Sequence, residues 1–359
     1  MRFIVSAFLV FVSAGCGCGG GGSDDSGGIS NNPGNAADNW LTDTAFVKDG
    51  GPGKDGIPSI DNPNYVAAEN ANFISDSETV IGTKINGIVR AYPHSILNWH
   101  EIVNVESDGE YHALSYCPLT GTSTLWTIPD NFVNKTFGVS GLLYNSNLIP
   151  YDRETGSNWV QMLSQSVNGT LSGTFIDENA VIETTWGNWK LMYPETVVLS
   201  EVTGFSRNYD DYPYGSYLTD TNLLFEVENE DPRLHEKTRV LAINNHGVNK
   251  VYVVSEFNQG IEVINENSGN SPYVVIGSSE FTFAIAFSST LADGTELSFT
   301  AVNSSLPIIM QDNEGNEWDI LGTAVSGARS GQKLILESDF IAFWFAWVAM
   351  HPNPEIHTF

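Results

Sequence analysis

Most of the chain alternates between short runs of apolar, β-branched residues and clusters of Gly, Asn, Asp and Pro, a pattern typical of β-strands separated by turns. The Asn86-Gly87 dipeptide between two such runs predicts a tight β-hairpin. A second hairpin is predicted over 150–159, turning at 154–156. The fold class is therefore mainly β, either all-β or α+β. Its predicted strands lie at 79–86, 87–92, 111–116, 122–128, 135–139 and 196–199.

Two segments have helical spacing instead. After Pro93, apolar side chains at 96, 97, 99, 102 and 103 form a broad stripe, which predicts a helix over 94–103. Residues 186–192 are predicted to form a short helix, capped by Thr184 or Thr185 and stopped by Pro194. The lead-in at 40–78 is rich in turn residues, with one short helix expected near 65–71.

The end of the first half of the chain recurs at the end of the second. TTWGNWKLMYPET at 184–196 returns as AFWFAWVAMHPNP at 342–354, an offset of 344 − 186 = 158 residues. We predict a tandem duplication with pseudo-twofold symmetry, in which each short helix buries its tryptophans against its own sheet. Copy one spans 49–203, a connector 204–238, and a degenerate, structural copy two 239–359. The pairs at this offset are Trp186/Trp344, Trp189/Trp347, Pro194/Pro352, Gly169/Gly327 and Gly173/Gly331.

The first residues of the chain predict an export signal. Arg2 precedes an apolar run of about ten residues, which is too short to cross a bilayer as a helix. Ser13-Ala14-Gly15-Cys16 is similar to a bacterial lipobox, in which Cys16 would be acylated; an ordinary secretory signal and acylation of Cys18 are the alternatives. We predict a signal peptide at 1–16 and a flexible Gly/Ser/Asn/Asp-rich tether at 17–48. The expected location is the bacterial cell envelope, as a lipoprotein facing the periplasm or at the outer membrane.

The charge balance limits the partners. The chain has 15 Lys and Arg against 43 Asp and Glu, a formal net charge of -28. Nucleic acid is excluded as a partner because its binders need clustered cations to displace phosphate counterions. A membrane is expected to be contacted only through the N-terminal lipid.

Cys117 is the one cysteine outside the N-terminal anchor, so it has no intramolecular disulfide partner. It ends a predicted strand ahead of a Leu-Thr-Gly-Thr turn. Its thiol is a candidate nucleophile or a soft ligand for a transition metal such as copper or zinc. The alternative is a small, buried, apolar residue.

His100 and Glu101 lie within the predicted helix over 94–103. His100 is a candidate base for Cys117 or a second metal ligand, with Glu101 or Asn104 to orient it. The alternative is a histidine that caps the carbonyls at the helix end. His94 and His112 flank predicted turns and are expected to be exposed.

Loops after the cysteine supply small and polar groups that can bind an anionic ligand. The candidate ligand-binding residues are Glu101, Ser140, Tyr144, Asn145 and Arg153. The alternative for the loop residues is a set of tight turns that need positive φ. Copy two has nothing equivalent to His100 or Cys117, so the site is expected in copy one.

The longest motifs are DGIPSIDNPNY, AYPHSILNWHEIVN, YCPLTGT, FGVSGLLYNSNLIPYDRETGSNW and TTWGNWKLMYPETVVLS. They resemble a bacterial family known as a domain of unknown function, DUF3179, over roughly Gly50 to Pro352. Many members of that family have a second cysteine, YCPLCG, where this chain has Thr120, so a Cys-x-x-Cys pair is excluded here. The resemblance implies no catalytic residue.

Three hypotheses follow. The leading one is an exported, lipid-anchored protein that binds a small ligand or a metal in a pocket of copy one, with His100 and Cys117 within about 8 Å of each other beside the 138–147 loop. The second is a cysteine-dependent hydrolase or transferase that uses Cys117 and His100. The third is a scaffold without a small-molecule site.

Overall fold

The structure, a computed structural model, describes residues 39–245, 247–268, 271–337 and 339–359. The predicted signal peptide, Cys16 and most of the predicted tether lie outside these residues. Within the described ranges, no helix is long and apolar enough to cross a membrane.

The described chain is mainly β, with 42% strand, 11% helix and three short α-helices. This confirms the predicted fold class. Its first half contains β1 Val47–Asp49, β2 Tyr65–Ala67, β3 Thr79–Ile85, β4 Ile88–Pro93, α1 His94–His100, β5 Ile102–Ser107, β6 Glu110–Cys117, β7 Thr122–Thr127, β8 Phe137–Tyr144, β9 Asn147–Asp152, β10 Asn158–Val160, β11 Gln165–Asn168, β12 Asp177–Asn179, β13 Ile182–Thr185, α2 Trp186–Met192 and β14 Val197–Leu199.

The second half follows a connector that has no strand or helix in its described residues. It contains β15 Arg239–Asn245, β16 Val248–Val253, β17 Glu262–Ser268, β18 Ser271–Ser278, β19 Phe283–Ser288, β20 Phe299–Ser305, β21 Ile308–Asp312, β22 Glu317–Asp319, β23 Asp339–Phe343, α3 Trp344–Met350 and β24 Glu355–Ile356. Short 3-10 turns lie at Thr44–Phe46, Ala68–Asn70, Gln161–Leu163 and Val254–Glu256.

The described strands form six sheets, and the sheet that leads into a helix has a related order in each half. In the first half the order is β13-β3-β4-β14-β2, and in the second half it is β23-β15-β16-β24. In both sheets the strand after the helix returns parallel to the second strand of the hairpin, β14 to β4 and β24 to β16. The helices therefore cross over equivalent edges of the two sheets.

The two halves share their cores. Trp344 and Trp347 on α3 lie in one apolar cluster with Val240 and Val251 of their own sheet and with Trp126 of the first half. The reason is the composition of α3, which is apolar on every side and must be covered on every side. The prediction that the helix packs against its own sheet is therefore incomplete, because the other half covers its opposite face.

The arrangement around α2 is reciprocal. Trp186 and Trp189 lie in one cluster with Val80 of their own sheet and with Phe283 and Trp318 of the second half. Both indoles are buried. Burying a tryptophan removes a large apolar area from water, so these shared cores hold the halves together.

An ion pair between a buried carboxylate and a partly exposed arginine also joins the halves. The Arg239 guanidinium at the start of β15 donates to Glu183 Oε2 on β13 at 3.0 Å, and Ser123 donates to Glu183 Oε1 at 2.7 Å. The Glu183 side chain is only 2% exposed, so the arginine compensates a charge that is removed from water.

Most predicted elements of the first half are confirmed. The 79–92 hairpin turns at Asn86 and Gly87, both with positive φ as this tight turn requires, and α2 has the predicted bounds with Thr185 as its cap. The short helix expected near 65–71 is instead the strand β2 followed by a 3-10 turn. Strand pairing between β2 and β14 takes these residues into a sheet.

The predicted helix over 94–103 is wrong in its second part. The helix α1 ends at His100, the chain turns sharply at Glu101, and residues 102–107 form β5, paired with β6. The β-branched residues Ile102, Val103 and Val105 pair better in a sheet than in a helix. The sharp turn places Glu101 at the end of α1, where the candidate site lies.

Candidate functional site

A cavity of about 360 Å³ opens beside the end of α1. This is within the usual size of small-molecule sites, roughly 300–1,000 Å³. Its walls are mainly apolar and come from the lead-in, α1, the turn after Cys117, the β8–β9 hairpin and the connector. The lining residues are Gly50, Pro52, Gly56, Ile57, Asn98, Trp99, Glu101, Leu119, Val139, Gly141, Leu142, Leu143, Leu148, Arg207, Pro213, Tyr214, Leu224 and Phe225.

Glu101 places a carboxyl group in this apolar wall. Its backbone has φ 57° and ψ -32°, a strained conformation for a residue with a side chain. Hydrogen bonds hold both ends of the residue: its N–H donates to the carbonyl of Leu97 at 2.8 Å, and its carbonyl accepts from the N–H of Tyr116 at 2.7 Å. The surrounding structure thus keeps a conformation that costs on the order of 1–3 kcal/mol.

The Glu101 carboxyl is almost fully buried, with 6% of the residue exposed. The Tyr214 hydroxyl donates to its Oε1 at 3.0 Å. Burial raises the pKa of Glu101 to about 7, because the desolvation of the charged form outweighs that hydrogen bond. Near neutral pH this carboxyl is therefore divided between an ionised and a protonated form.

Cys117 lies close enough to Glu101 for their charges to interact, but it is 1% exposed. Its Sγ donates to the carbonyl of Ser146 at 3.6 Å. Burial, and next the charge of Glu101, raise the pKa of the Cys117 thiol to about 11. The thiol is therefore protonated at neutral pH, whereas a nucleophilic cysteine acts as the thiolate.

A network of buried amides and hydroxyls fixes the turn that follows Cys117. The Asn147 amide donates to Thr120 and Thr122 at 3.1 Å and to Gln161 at 2.8 Å. The Gln161 amide in turn donates to Ser115 at 2.9 Å. Each member has partners, so the network carries no uncompensated polar atom. Thr120, at the position of the family's second cysteine, is a structural residue here.

His100 is buried and has a partner at each ring nitrogen. Its Nδ1 donates to the carbonyl of Pro58 at 2.7 Å, and its Nε2 accepts from the Tyr209 hydroxyl at 2.7 Å. Burial lowers the pKa of His100. The residue is therefore a neutral histidine that links α1 to the lead-in and the connector, and neither nitrogen is available to Cys117 or to a metal.

Among the described residues, no group of three or more His, Cys, Asp and Glu side chains is arranged to hold a metal ion. His100 and Cys117, the two metal ligands considered from the sequence, each have other hydrogen-bond partners. The geometry thus offers no support for a copper or zinc centre at these two residues.

Ser140 and Asn145 stabilise the β8–β9 hairpin and its contacts. The Ser140 hydroxyl donates to the carbonyl of Ile149 and accepts from the N–H of Leu142 at 3.0 Å, where the register of β8 shifts. Asn145 and Ser146 both have positive φ and form the hairpin turn, and the Asn145 side chain accepts from the N–H of Glu228. These contacts match the alternative of tight turns rather than a ligand site.

Tyr144 and Arg153 are also engaged with the protein itself. The Tyr144 hydroxyl donates to Glu228 at 3.3 Å. The Arg153 guanidinium donates to Asp61 Oδ2 and to the Ser59 hydroxyl, both at 2.8 Å, and so binds the lead-in to β9. Of the candidate ligand-binding residues, only Glu101 lines the cavity.

The expectation that His94 and His112 are exposed is wrong. His112 is buried, and the His94 ring packs on Tyr116 with 4.1 Å between ring centres. Burial, followed by the charge of Arg239, lowers the pKa of His94 to about 3. His112 lies on β6 between β5 and β7, and His94 lies beside Tyr116 and Glu183, contacts that are not visible from the adjacent turns.

The connector contributes to the site, a role that was not predicted from the sequence. Tyr214 reaches Glu101, and Tyr217 donates to the carbonyl of Leu119 at 2.8 Å, on the turn after Cys117. Tyr212 and Tyr214 pack against the core that contains Cys117. The run YDDYPYGSY was a usable signal, since a solvent-exposed linker has no need of four tyrosines in nine residues.

A second cavity of about 410 Å³ lies between β12 and the end of α3. It is lined by Glu178, Phe340 and His351, among others. Burial raises the pKa of Glu178 to about 7, and the Ser164 hydroxyl donates to its carboxyl group. None of the candidate residues lines this cavity. Its buried Glu178 therefore serves as a comparison for Glu101.

These observations define a mainly β protein with a small, largely apolar cavity between its first half and the connector. The chain belongs to the family described as "Protein of unknown function (DUF3179)", whose model matches residues 54–354. This confirms the resemblance drawn from the motifs. No curated protein and no solved structure matches the chain.

Replacing Glu101 with Gln is expected to change the pH dependence of stability. The pKa of the wild-type carboxyl is about 7 in the folded protein and near 4.5 in the unfolded protein. Between these pH values the folded protein therefore holds a proton that the unfolded protein has released. Wild-type stability therefore falls as pH rises through that window, by up to about 3 kcal/mol. The Gln variant should match the wild type near pH 4.5 and be more stable above pH 7.

Urea unfolding of both proteins across this pH range measures the effect. The comparison at each pH cancels the other titrating groups, which the two proteins share. A stability difference that stays constant from pH 4.5 to pH 8 would contradict the raised pKa of Glu101.

Proposed function

We propose that this protein is an exported, lipid-anchored binding protein, whose cavity beside Glu101 takes a small, mostly apolar molecule with one hydrogen-bonding group. The observation that carries the proposal is the position of the Glu101 carboxyl, buried on a strained backbone in the wall of an apolar cavity. Binding sites for small molecules combine an apolar lining with a few fixed polar groups in this way. Strain of this kind is concentrated at functional positions.

Binding is favoured over cysteine chemistry by the state of the thiol. Cys117 is buried and protonated, and its thiol donates to a backbone carbonyl. A base would have to deprotonate it, and both nitrogens of His100 are already engaged. The described residues that line the cavity can hold a ligand, and none of them is an activated nucleophile.

We also propose that the two halves arose by duplication and that the second half has a structural role. Three features support this: the related strand orders of the two helix-bearing sheets, the repeated tryptophans, and a repeated hydrogen bond. Trp159 donates to Asp152 Oδ2 at 2.9 Å, and Trp318 donates to Asp312 Oδ2 at 2.9 Å. Glu101 and Cys117 have no such counterpart in the sequence of the second half, so the binding site belongs to the first.

The binding proposal can be tested with N-phenyl-1-naphthylamine, an apolar dye that fluoresces when it leaves water. Leu224 lines the cavity and is 57% exposed, so Leu224→Trp should obstruct the cavity at little cost to folding. We expect the dye to bind the wild type and to bind this variant at least about tenfold more weakly, a loss of about 1.4 kcal/mol.

Leu218→Trp is the matched control. Leu218 is also on the connector and 49% exposed, but it does not line the cavity. Dye affinity should be unchanged in this variant. Equal affinity in all three proteins would place the dye elsewhere, and no binding to the wild type would count against the proposed function.

The anchor is a separate part of the proposal and rests on the lipobox-like sequence around Cys16. Replacing Cys16 with Ser should move the protein from the membrane fraction to the soluble fraction of cells, because the acylated residue is lost. A Cys18→Ser variant is the control and should stay with the membrane. If Cys18→Ser releases the protein and Cys16→Ser does not, the acylated residue is Cys18.

A further inference from the structure

We propose that the ligand of the Glu101 cavity carries a protonated amine, which pairs with the Glu101 carboxylate while the rest of the ligand contacts the apolar walls. This inference rests on the proposed binding function and adds the chemical class of the ligand.

The first observation is that none of the described residues supplies a cation to Glu101. Glu183, another buried carboxylate of the first half, is paired with the guanidinium of Arg239 at 3.0 Å. Glu101 is equally removed from water, yet no Lys, Arg or His side chain among the described residues forms an ion pair with it. A carboxylate in such a position lacks the partner that normally offsets the cost of burial.

The second observation is an unused acceptor. Tyr214 donates to Oε1, and no donor in the described part of the chain bonds to Oε2. The residue lines the cavity, so a bound molecule can reach the carboxyl group. The site therefore offers one carboxylate oxygen to a donor that comes from outside the protein.

An ammonium group fits this position better than a hydroxyl group. Both can donate to Oε2, but only the ammonium also neutralises the charge. In a poorly hydrated site an opposite charge within hydrogen-bonding distance strongly favours the ionised carboxyl. The ammonium would thus lower the pKa of Glu101, whereas a neutral donor leaves a buried negative charge.

Arg207 also lines the cavity, but it does not fill this role. Its Nη1 donates to the carbonyl of Ser206, and its guanidinium lies 5.8 Å from the ring centre of Trp99. The body of the ligand instead meets aliphatic and aromatic walls such as Leu119, Leu143 and Phe225. The formal net charge of -28 further raises the concentration of cations near the protein.

Three probes of equal length distinguish the ligand classes: hexylamine, 1-hexanol and hexanoate. Dissociation constants measured by calorimetry at pH 8, above the pKa of Glu101, should place hexylamine at least about tenfold tighter than 1-hexanol, with hexanoate weakest. The advantage of hexylamine should shrink at pH 6, where Glu101 takes up a proton while the amine stays charged. This series needs no variant and is independent of any folding defect.

Two variants test whether Glu101 is the residue that favours hexylamine over 1-hexanol. Glu101→Gln should remove the advantage of hexylamine over 1-hexanol, and Glu178→Gln should retain it. Glu178 is a suitable match because burial raises its pKa to the same value, about 7, in the other cavity. Loss of the advantage in the Glu178 variant alone would overturn the assignment to Glu101.

The outcomes separate the two proposals. If 1-hexanol binds the wild type as tightly as hexylamine, and Leu224→Trp weakens both, the amine inference is wrong and the binding function stands. If none of the probes and no dye binds, the binding function itself is wrong and the inference falls with it.

Discussion

Replacing Arg239 with Met is expected to lower the free energy of unfolding by about 3–5 kcal/mol at pH 7, because the variant leaves the buried carboxylate of Glu183 without its cation. Among the described residues, the Ser123 hydroxyl and the more distant His94 ring, 3.6 Å away, would remain as its polar partners. Denaturant unfolding followed by tryptophan fluorescence measures the loss. Since the pair joins β13 to β15, we also expect both halves to be affected together.

Two further variants serve as comparisons for the Arg239→Met measurement. Arg153→Met removes an ion pair whose Asp61 partner is 41% exposed, and it should cost no more than about 1 kcal/mol. The double variant Arg239→Met with Glu183→Met should recover most of the loss, because no charge is left buried. A loss below 1 kcal/mol in Arg239→Met alone would contradict the structural role of this pair.

Cys117 is expected to react with iodoacetamide at least about 200-fold more slowly than a free cysteine at pH 8. With a pKa of about 11, roughly 0.1% of the thiol is ionised at that pH, against about a quarter for an exposed cysteine with a pKa near 8.5. Burial of the side chain slows the reaction further. Mass spectrometry of the peptide that contains Cys117 measures its labelling separately from Cys16 and Cys18.

The same protein unfolded in urea is the control and should be labelled at the ordinary rate. Rapid labelling of Cys117 in the folded protein would contradict the protonated, buried thiol. It would also revive the hypothesis of a cysteine-dependent hydrolase or transferase, which the geometry around His100 and Cys117 does not favour.

Much of the local structure follows from the sequence. The Asn86-Gly87 hairpin, the strands on either side of the Cys117 turn and the bounds of α2 were predictable, because turn residues, alternation and a cap act over a few positions. The location of the site in the first half stays a prediction, which rests on the lack of a counterpart to His100 or Cys117 in the sequence of the second half.

The particular partners were not predictable in this way. His100 and Cys117 look like a pair in the sequence, but His100 is engaged by Pro58 and Tyr209, while Cys117 bonds to the Ser146 carbonyl. Segments far apart in the chain supply these groups. A sequence pattern states which donors and acceptors exist, but the packing of distant segments decides which of them meet.

The sequence alone determined the mainly β fold class, the family and several strands of the first half, since each depends on residues close together in the chain or on whole motifs. Only the tertiary structure decided that α1 ends at Glu101, that Tyr214 from the connector meets its carboxyl group, and that each tryptophan-bearing helix is covered by the other half. These outcomes depend on burial and on contacts between distant segments, and both exist only once the chain has folded.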